Sequence, residues 1–305
     1  MTTHEANISV APSRPRALPG VLSRIANWPW WLIVAIALGL YIIYSILTNP
    51  LTNRAFWFIN GQTPEGIRTG DLVMEGLVMT LGVTAIAYSF AVVIGLVMGL
   101  GRVSDNVVIY NASSFYVEII RGIPMLVLLM AIAFVGVSVA IEAINAVGNW
   151  LVSAGLGFGE SLTVITSRNI SNMWRAVIAL AIAYGAFSAE IFRAGIQSIE
   201  KGQMEAARAL GMSYFQAMRY VILPQAVRRV LPALGNDFVA MLKDSALVSV
   251  LGVRDMTQLN KLYTSSTFNF VQGYIVLAFL YLVMTILLSR LVRLMEVRMS
   301  RSLHA

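Results

Sequence analysis

The ionisable side chains that could do chemistry in this sequence are few, and the most telling ones sit inside apolar stretches. Lys243 lies eleven residues beyond Pro232 in such a stretch, with Asp244 next to it. On a helix that is roughly 16 Å of travel, at about 1.5 Å per residue, which reaches the middle of a bilayer. A charge at that depth costs about 3 kcal/mol or more unless it is paired or hydrated. Adjacent helix positions do not face each other, so Lys243 and Asp244 do not neutralise each other and each needs another partner. Glu190 and Asp237 are the candidates for Lys243. A zwitterionic solute needs a cation and an anion in its pocket, so Lys243, Asp244 and Glu190 are candidate residues lining or gating a solute path. A structural polar network that locks helices together is the alternative reading of the same residues.

Covalent and metal chemistry find no purchase. Cys is absent, and the two His residues, His4 and His304, stand in polar tails, which leaves no thiolate site, no cysteine nucleophile and no buried His ligand set. No Ser-His-Asp, paired-carboxylate or metal-ligand spacing is evident. There is no Gly-x-x-x-x-Gly-Lys-Ser/Thr and no Gly-Lys dipeptide, so this chain does not cradle a nucleotide in that way.

The segment from Gly202 to Pro224 has a readable local logic. Residues 203–210 are strong helix formers. Gly211 suits the left-handed position that stops such a helix. Ser213 then caps a second helix, with Gln216 three residues on completing a capping box, and Pro224 is read as its end. The first helix is too short to be stable alone in water and needs a docking surface. Ala206 and Ala207 keep that surface low, and Glu205 and Arg208 are its charged points.

The elements that must carry these residues follow from composition. The chain has 305 residues, 58% apolar and 12% charged, against about 25% charged in an ordinary soluble domain. That excludes a soluble enzyme, a disordered chain and a secreted disulfide scaffold. The net charge of +7 fits loops facing anionic lipid better than nucleic acid. About 20 apolar residues cross the hydrocarbon core, and six segments qualify: near Trp30–Leu47, Leu72–Leu100, inside Val107–Val139, Met173–Ile191, Pro232–Leu251 and Gly273–Leu291. The early part of the third, up to Pro124, is read as interfacial, with Pro124 starting the true span. The connection 140–172, rich in Gly, is read as an outer loop. Arg and Lys concentrate on the side holding Arg14, Arg16, Arg24, Arg102, Arg193, Lys201, Arg208, Arg219, Arg228, Arg229, Arg290, Arg293, Arg298 and Arg301, against Arg54, Arg68, Arg168, Arg175, Arg254 and Lys261 on the other, 14 against 6. The positive-inside bias then predicts an all-α, polytopic bundle with both termini inside. Trp28, Trp30 and Trp31 suit an inner aromatic belt. Glu118 with Arg121 and Glu190 with Arg193 are each spaced for a local ion pair, and Gly95-x-x-x-Gly99 reads as close helix packing.

Glu205-Ala206-Ala207, Gly211 and Ile222-Leu223-Pro224 resemble the cytoplasmic loop of permease subunits of binding-protein-dependent ABC importers. Three further motifs resemble the polar-amino-acid branch of that family: Tyr116-Val117-Glu118-Ile119-Ile120-Arg121-Gly122-Ile123-Pro124, Phe187-Ser188-Ala189-Glu190-Ile191-Phe192-Arg193, and Leu231-Pro232-Ala233-Leu234-Gly235-Asn236 followed by Leu242-Lys243-Asp244-Ser245-Ala246-Leu247. Ile123 stands where Thr is usual and Phe187 where Tyr is usual. The resemblance covers about residues 72–292.

It implies a type I permease domain over 72–292 with a coupling loop at 196–230. Before it come a cytoplasmic arm (1–27) and an additional transmembrane helix (28–48), and after it a cytoplasmic tail (293–305). It also implies a prokaryotic cytoplasmic (inner) membrane protein that moves a polar amino acid. Gly202, Glu205, Ala206, Ala207, Arg208 and Gly211 would couple it to a cytoplasmic ABC ATPase dimer, which alone would bind ATP and Mg; no cofactor is expected in this chain. An extracytoplasmic amino-acid-binding protein and a second permease subunit, identical or homologous, complete the expected partners, with membrane lipid around them and no nucleic acid. An ion-coupled transporter or channel working without an ATPase, and an intramembrane enzyme, are the alternatives. The docking-type loop speaks against the first, and the missing catalytic groups against the second.

Overall fold

The computed structural model describes residues 30–59 and 75–301. Among them every regular element is helical: α1 (Trp30–Thr48), α2 (Pro50–Ile59), α3 (Glu75–Gly101), α4 (Val107–Gly122), α5 (Met125–Ser153), α6 (Gly159–Thr163), α7 (Asn172–Gln197), α8 (Lys201–Ala209), α9 (Tyr214–Ala217), α10 (Leu223–Asp244), α11 (Met256–Thr267) and α12 (Phe270–Arg301). The chain divides into two compact units, Met1–Tyr44 and Ser45–Ala305. The described part of the first is the leading portion of α1, and the elements from α2 to α12 all lie in the second. The arm 1–27, with His4, Arg14 and Arg24, lies outside the described residues, as do Trp28, Arg68, His304 and the side chains of Trp30 and Trp31.

Among the described residues, four helices are long and apolar enough to cross a membrane: Glu75–Gly101, Met125–Ser153, Asn172–Gln197 and Phe270–Arg298. A fifth is reached if Ile33–Thr48 and Pro50–Ile59 are taken as one span. Even five is one fewer than the six predicted, and the predicted span at 232–251 accounts for that difference. Its helix, α10, starts earlier, at Leu223, and carries Arg228, Arg229, Asp237, Lys243 and Asp244. Its buried apolar residues are Ala226, Val230, Leu234, Val239, Met241 and Leu242. After Asp244 the backbone tightens into a 3-10 segment, Ser245–Leu251. Pro232 sits inside α10 without ending it.

The other boundaries moved for local reasons. Pro124 starts α5, as its lack of an N–H favours. That span runs on to Ser153, so the connection read as beginning at Ala140 begins after it. Within α5 the backbone widens into a π-turn at Ala131–Gly136. Arg175 of α7 donates to the Ala133 carbonyl at 2.7 Å and to Ser167 Oγ at 2.6 Å, tying α5 and the following loop to α7. Pro224 does not end the helix begun at Ser213. A π-turn over Met218–Ile222 separates α9 from α10, and Pro224 falls in the first turn of α10. A proline there needs no donor, and the widened turn makes room for its ring.

The core is the α3–α7 pair. Small residues let the two backbones meet, because a Cβ on Gly95 would lie 2.5 Å from Ser188 Cβ and one on Gly99 would lie 2.7 Å from Phe192 Cβ. The Gly95-x-x-x-Gly99 spacing is thus a packing seam. Val83, Ala87 and Ala91 of α3 close against Ala176, Leu180 and Tyr184 of α7, joined by Leu129 of α5, Met241 of α10 and Val248. At one end α2 packs on α11 and α12, with the Tyr263 hydroxyl donating to the Leu51 carbonyl at 3.2 Å.

Candidate functional site

Three groups of polar residues stand out along this core, and the first is the helical foothold α8. Gly211 adopts φ +85°. The Met212 amide donates to the Ala207 carbonyl at 3.2 Å and the Gly211 amide to that of Arg208 at 3.0 Å, a Schellman stop. Ser213 and Gln216 form the full capping box that opens α9. Met204 packs on Ile199, Ile222 and Ala226, so α8 is seated on the end of α7 and the base of α10. The structure splits the alanine pair: Ala207 is buried against the rest of the chain, whereas Gly202, Glu205, Ala206, Arg208 and Gly211 are exposed. Large apolar side chains are bare beside them, Leu210 at 81% exposure and Phe215 at 70%.

The second group is a tier of carboxylates and hydroxyls between α3, α7 and α10. Asp237 and Asp244 are seven residues apart, two helical turns, and so share one face of α10. Tyr184 donates to Asp244 Oδ2 at 2.7 Å and Ser188 donates to Asp237 Oδ2 at 3.1 Å. The Tyr88 hydroxyl lies 2.6 Å from the Leu234 carbonyl and 3.3 Å from Asp237 Oδ2. A phenol has one proton, so it serves the nearer carbonyl. Tyr184 and Ser188 are buried, which fixes the donors in place.

The third group is an arginine hub one end of α7 away. Glu190 receives Arg102 from the turn that ends α3, Arg121 from α4 at 3.2 Å and Arg193 from its own helix at 2.8 Å. Arg121 therefore does not pair with Glu118; its guanidinium reaches Glu190 and lies over the Phe187 ring, 5.6 Å from the centroid. Beside the hub is an open cleft of about 690 Å³ lined by Arg121, Glu190, Arg193, Ser198 and Arg229 among others.

Residues 91–301 match the family model described as binding-protein-dependent transport system inner membrane component. The chain belongs to this family. This inner-membrane component is 33% identical over 229 residues to the probable amino-acid permease protein YxeN of Bacillus subtilis (strain 168), covering 75% of this chain and 92% of that one. It is 32% identical over 228 residues to the glutamine transport system permease protein GlnP of Escherichia coli (strain K12), covering 75% and 93%. Among solved structures it resembles an amino acid ABC transporter crystallised with histidines, at 41% identity and a TM-score of 0.60, over 73% of this chain and 92% of that one. The fold is thus that of a transmembrane permease bundle.

The three residues assigned to a solute path from sequence are not gathered at one point. Asp244 is half-buried and held by Tyr184. Lys243 is exposed and makes no ion pair among the described residues, so neither Glu190 nor Asp237 is its partner. Glu190 is taken up by arginines. Sequence reasoning missed Tyr88, Tyr184 and Ser188 as donors and Arg102 as an ion-pair partner. The signal that could have found the hydroxyls is their spacing: Tyr184 and Ser188 are four apart on one face of α7.

Outside the spans, Asp255 is fully buried where it caps α11, accepting from the Gln258 amide at 2.9 Å. Burial pushes its carboxyl up to about 6, with the amide of Gln258 pulling the other way.

Proposed function

We propose that this chain is the transmembrane permease subunit of an ABC importer that moves a polar amino acid across a prokaryotic cytoplasmic membrane, with both termini inside. The observation that carries the reading is the foothold. Helix α8 has nine residues, ends in a defined stop, and leaves Glu205, Ala206, Arg208, Leu210 and Phe215 uncovered around it. A helix of that length is not stable alone, and bare apolar residues around charged points suit a protein groove. The groove belongs to a cytoplasmic ATPase dimer, which holds ATP and Mg; this chain holds no cofactor and performs no hydrolysis. Relatives named as glutamine and arginine permeases support an amino acid as cargo. An extracytoplasmic binding protein delivers it, and a second permease subunit completes the path.

Within the path we assign Asp244, with Asp237 behind it, to the substrate's ammonium side. Glu190 belongs to the inner end, where the hub joins α3, α4 and α7. Lys243, on the exposed side of α10, faces the second subunit.

The test is uptake in vesicles holding the permease, its ATPase and its binding protein. Reversing the charge at the foothold, Glu205→Arg, should cut ATP-driven uptake by about tenfold or more, a loss of about 1.4 kcal/mol or more of coupling, while the bundle still assembles. Undiminished accumulation in vesicles lacking any ATPase would refute the reading and select the ion-coupled alternative that the Asp237–Asp244 tier could serve.

A further inference from the structure

The arginine hub carries more positive charge than its carboxylate can balance. Arg102, Arg121 and Arg193 share Glu190, and Arg229 joins them across the cleft, where it donates to the Ser198 carbonyl. Four guanidiniums thus face one carboxylate. Glu118, one turn from Arg121 on α4, makes no ion pair among the described residues. Gln197 accepts from Arg193 at 2.7 Å but brings no charge. The lining of the cleft also includes Ile191, Ala194, Gly195 and Ala233, which offer no anion either.

The geometry selects the missing partner. Arg102 is turned inward, with its side chain 11% exposed, and meets Glu190 through Nη1. Arg121 and Arg193 are 45% and 32% exposed, and both line the open cleft together with Arg229. Only part of the donor set of each is used. Guanidiniums bind oxyanions through paired N–H donors, and phosphate suits that fork as well as carboxylate does. Excess cationic charge at an apolar bundle's end also draws anionic lipid.

We infer that this cleft is an oxyanion site, in which Arg121 and Arg229 grip a phosphate from opposite walls. The phosphate comes either from an acidic phospholipid headgroup or from free phosphate. Glu190 competes with it for Arg121. The site stands on charge balance and cleft geometry alone, so it does not depend on which substrate the bundle carries.

The experiment uses the purified full chain in phosphatidylcholine nanodiscs, titrated in one arm with phosphatidylglycerol and in the other with inorganic phosphate. Native mass spectrometry and thermal unfolding read binding. Saturable binding in the lipid arm assigns the headgroup, and saturable binding in the phosphate arm assigns the free ion. In whichever arm binds, Arg121→Gln and Arg229→Gln should each weaken affinity by about tenfold, Arg121→Lys, which keeps the charge and loses the fork, should restore only part of it, and Arg219→Gln, away from the cleft, should not change it. Glu190→Gln, which removes the competing anion, should tighten binding, an outcome that a purely structural hub does not produce. Arg229→Gln keeps the test valid if Arg121→Gln fails to fold, because Arg229 is exposed on the rim. No saturable binding in either arm, or equal affinity for wild type, Arg229→Gln and Glu190→Gln, overturns the proposal.

Discussion

Glu190→Gln is the substitution whose size the structure lets one work out. It keeps the shape and one acceptor but deletes the only carboxylate in the hub. The Glu190 side chain is 20% exposed, and its partners differ in depth: Arg102 at 11%, Arg193 at 32% and Arg121 at 45%. Removing one member of a buried pair costs about 3–5 kcal/mol, because the other charge is stranded. An exposed pair is worth about 0–1 kcal/mol. Arg102 lies near the buried limit and Arg121 near the exposed one. Glu190→Gln should therefore destabilise the bundle by about 2–4 kcal/mol, mostly through Arg102. Double-mutant cycles on unfolding in detergent separate the shares. The Glu190–Arg102 coupling should be about 2 kcal/mol or more and the Glu190–Arg121 coupling below about 1 kcal/mol. A Glu190→Gln protein as stable as wild type, or couplings in the reverse order, would show that the hub does not join α3 to α7 in this way.

Other expectations can be checked on the same protein. Gly95→Val forces a Cβ into Ser188 and should destabilise by about 1–3 kcal/mol, seen as a lower unfolding temperature; no change would mean that α3 and α7 are not in contact there. Asp255 has a folded-state carboxyl pKa of about 6 against 3.8 in the open chain, so its ionisation opposes folding. That cost is absent below pH 3.8, grows as pH rises, and is complete above about pH 6. Asp255→Asn keeps a cap for α11 and should flatten the unfolding temperature between those limits, raising stability near neutrality by at most about 3 kcal/mol. Asp244→Asn should raise KM for uptake in the full vesicle system, and unchanged uptake kinetics at normal expression would take Asp244 out of the path. Tyr184→Phe removes a hydrogen bond to a charged group, worth about 1.5–3 kcal/mol, and should shift the same kinetics less than Asp244→Asn.

What could be read from sequence was whatever short-range rules decide. Gly211 and the Ser213–Gln216 box are local chemistry, and both appear where spacing put them. Four spans follow from apolar length alone. The misreadings share a cause, which is that distant parts of the chain decided the outcome. Pro224 looked like a stop, but the π-turn before it lets the helix resume toward the α3–α7 pair. Arg121 looked like the partner of Glu118, but a better-placed carboxylate arrives on α7. The donors of Asp237 and Asp244 lie 49 and 60 residues away in the chain. The 232–251 stretch reads from sequence as a span with Lys243 and Asp244 at mid-depth, yet its charges sit on faces that only packing can satisfy. Ala206 and Ala207 looked equivalent, and the helical turn between them sends one inward and one outward.

The same packing says which element can move. Helices α3 and α7 are joined along the glycine seam at Gly95 and Gly99, where neither can slide without losing backbone contact. Helix α8 is joined to Ile199, just beyond the end of α7, and to Ile222 and Ala226, the π-turn and base of α10. A push delivered at Glu205 or Leu210 therefore reaches α10 and the end of α7 together, and of these two only α10 lies outside the Gly95–Gly99 seam. A π-turn is a natural place for a helix to flex, and this one lies between the foothold and the polar tier. The bonds that must exchange when α10 shifts are then Tyr88 to the Leu234 carbonyl and Tyr184 to Asp244. These are hydroxyl donors, which rotate to follow a moving acceptor, whereas the arginine hub holds α3, α4 and α7 without touching α10 through any ion pair among the described residues. The division into a fixed charged frame and a hydroxyl-lined moving face is what a power stroke applied at α8 would require.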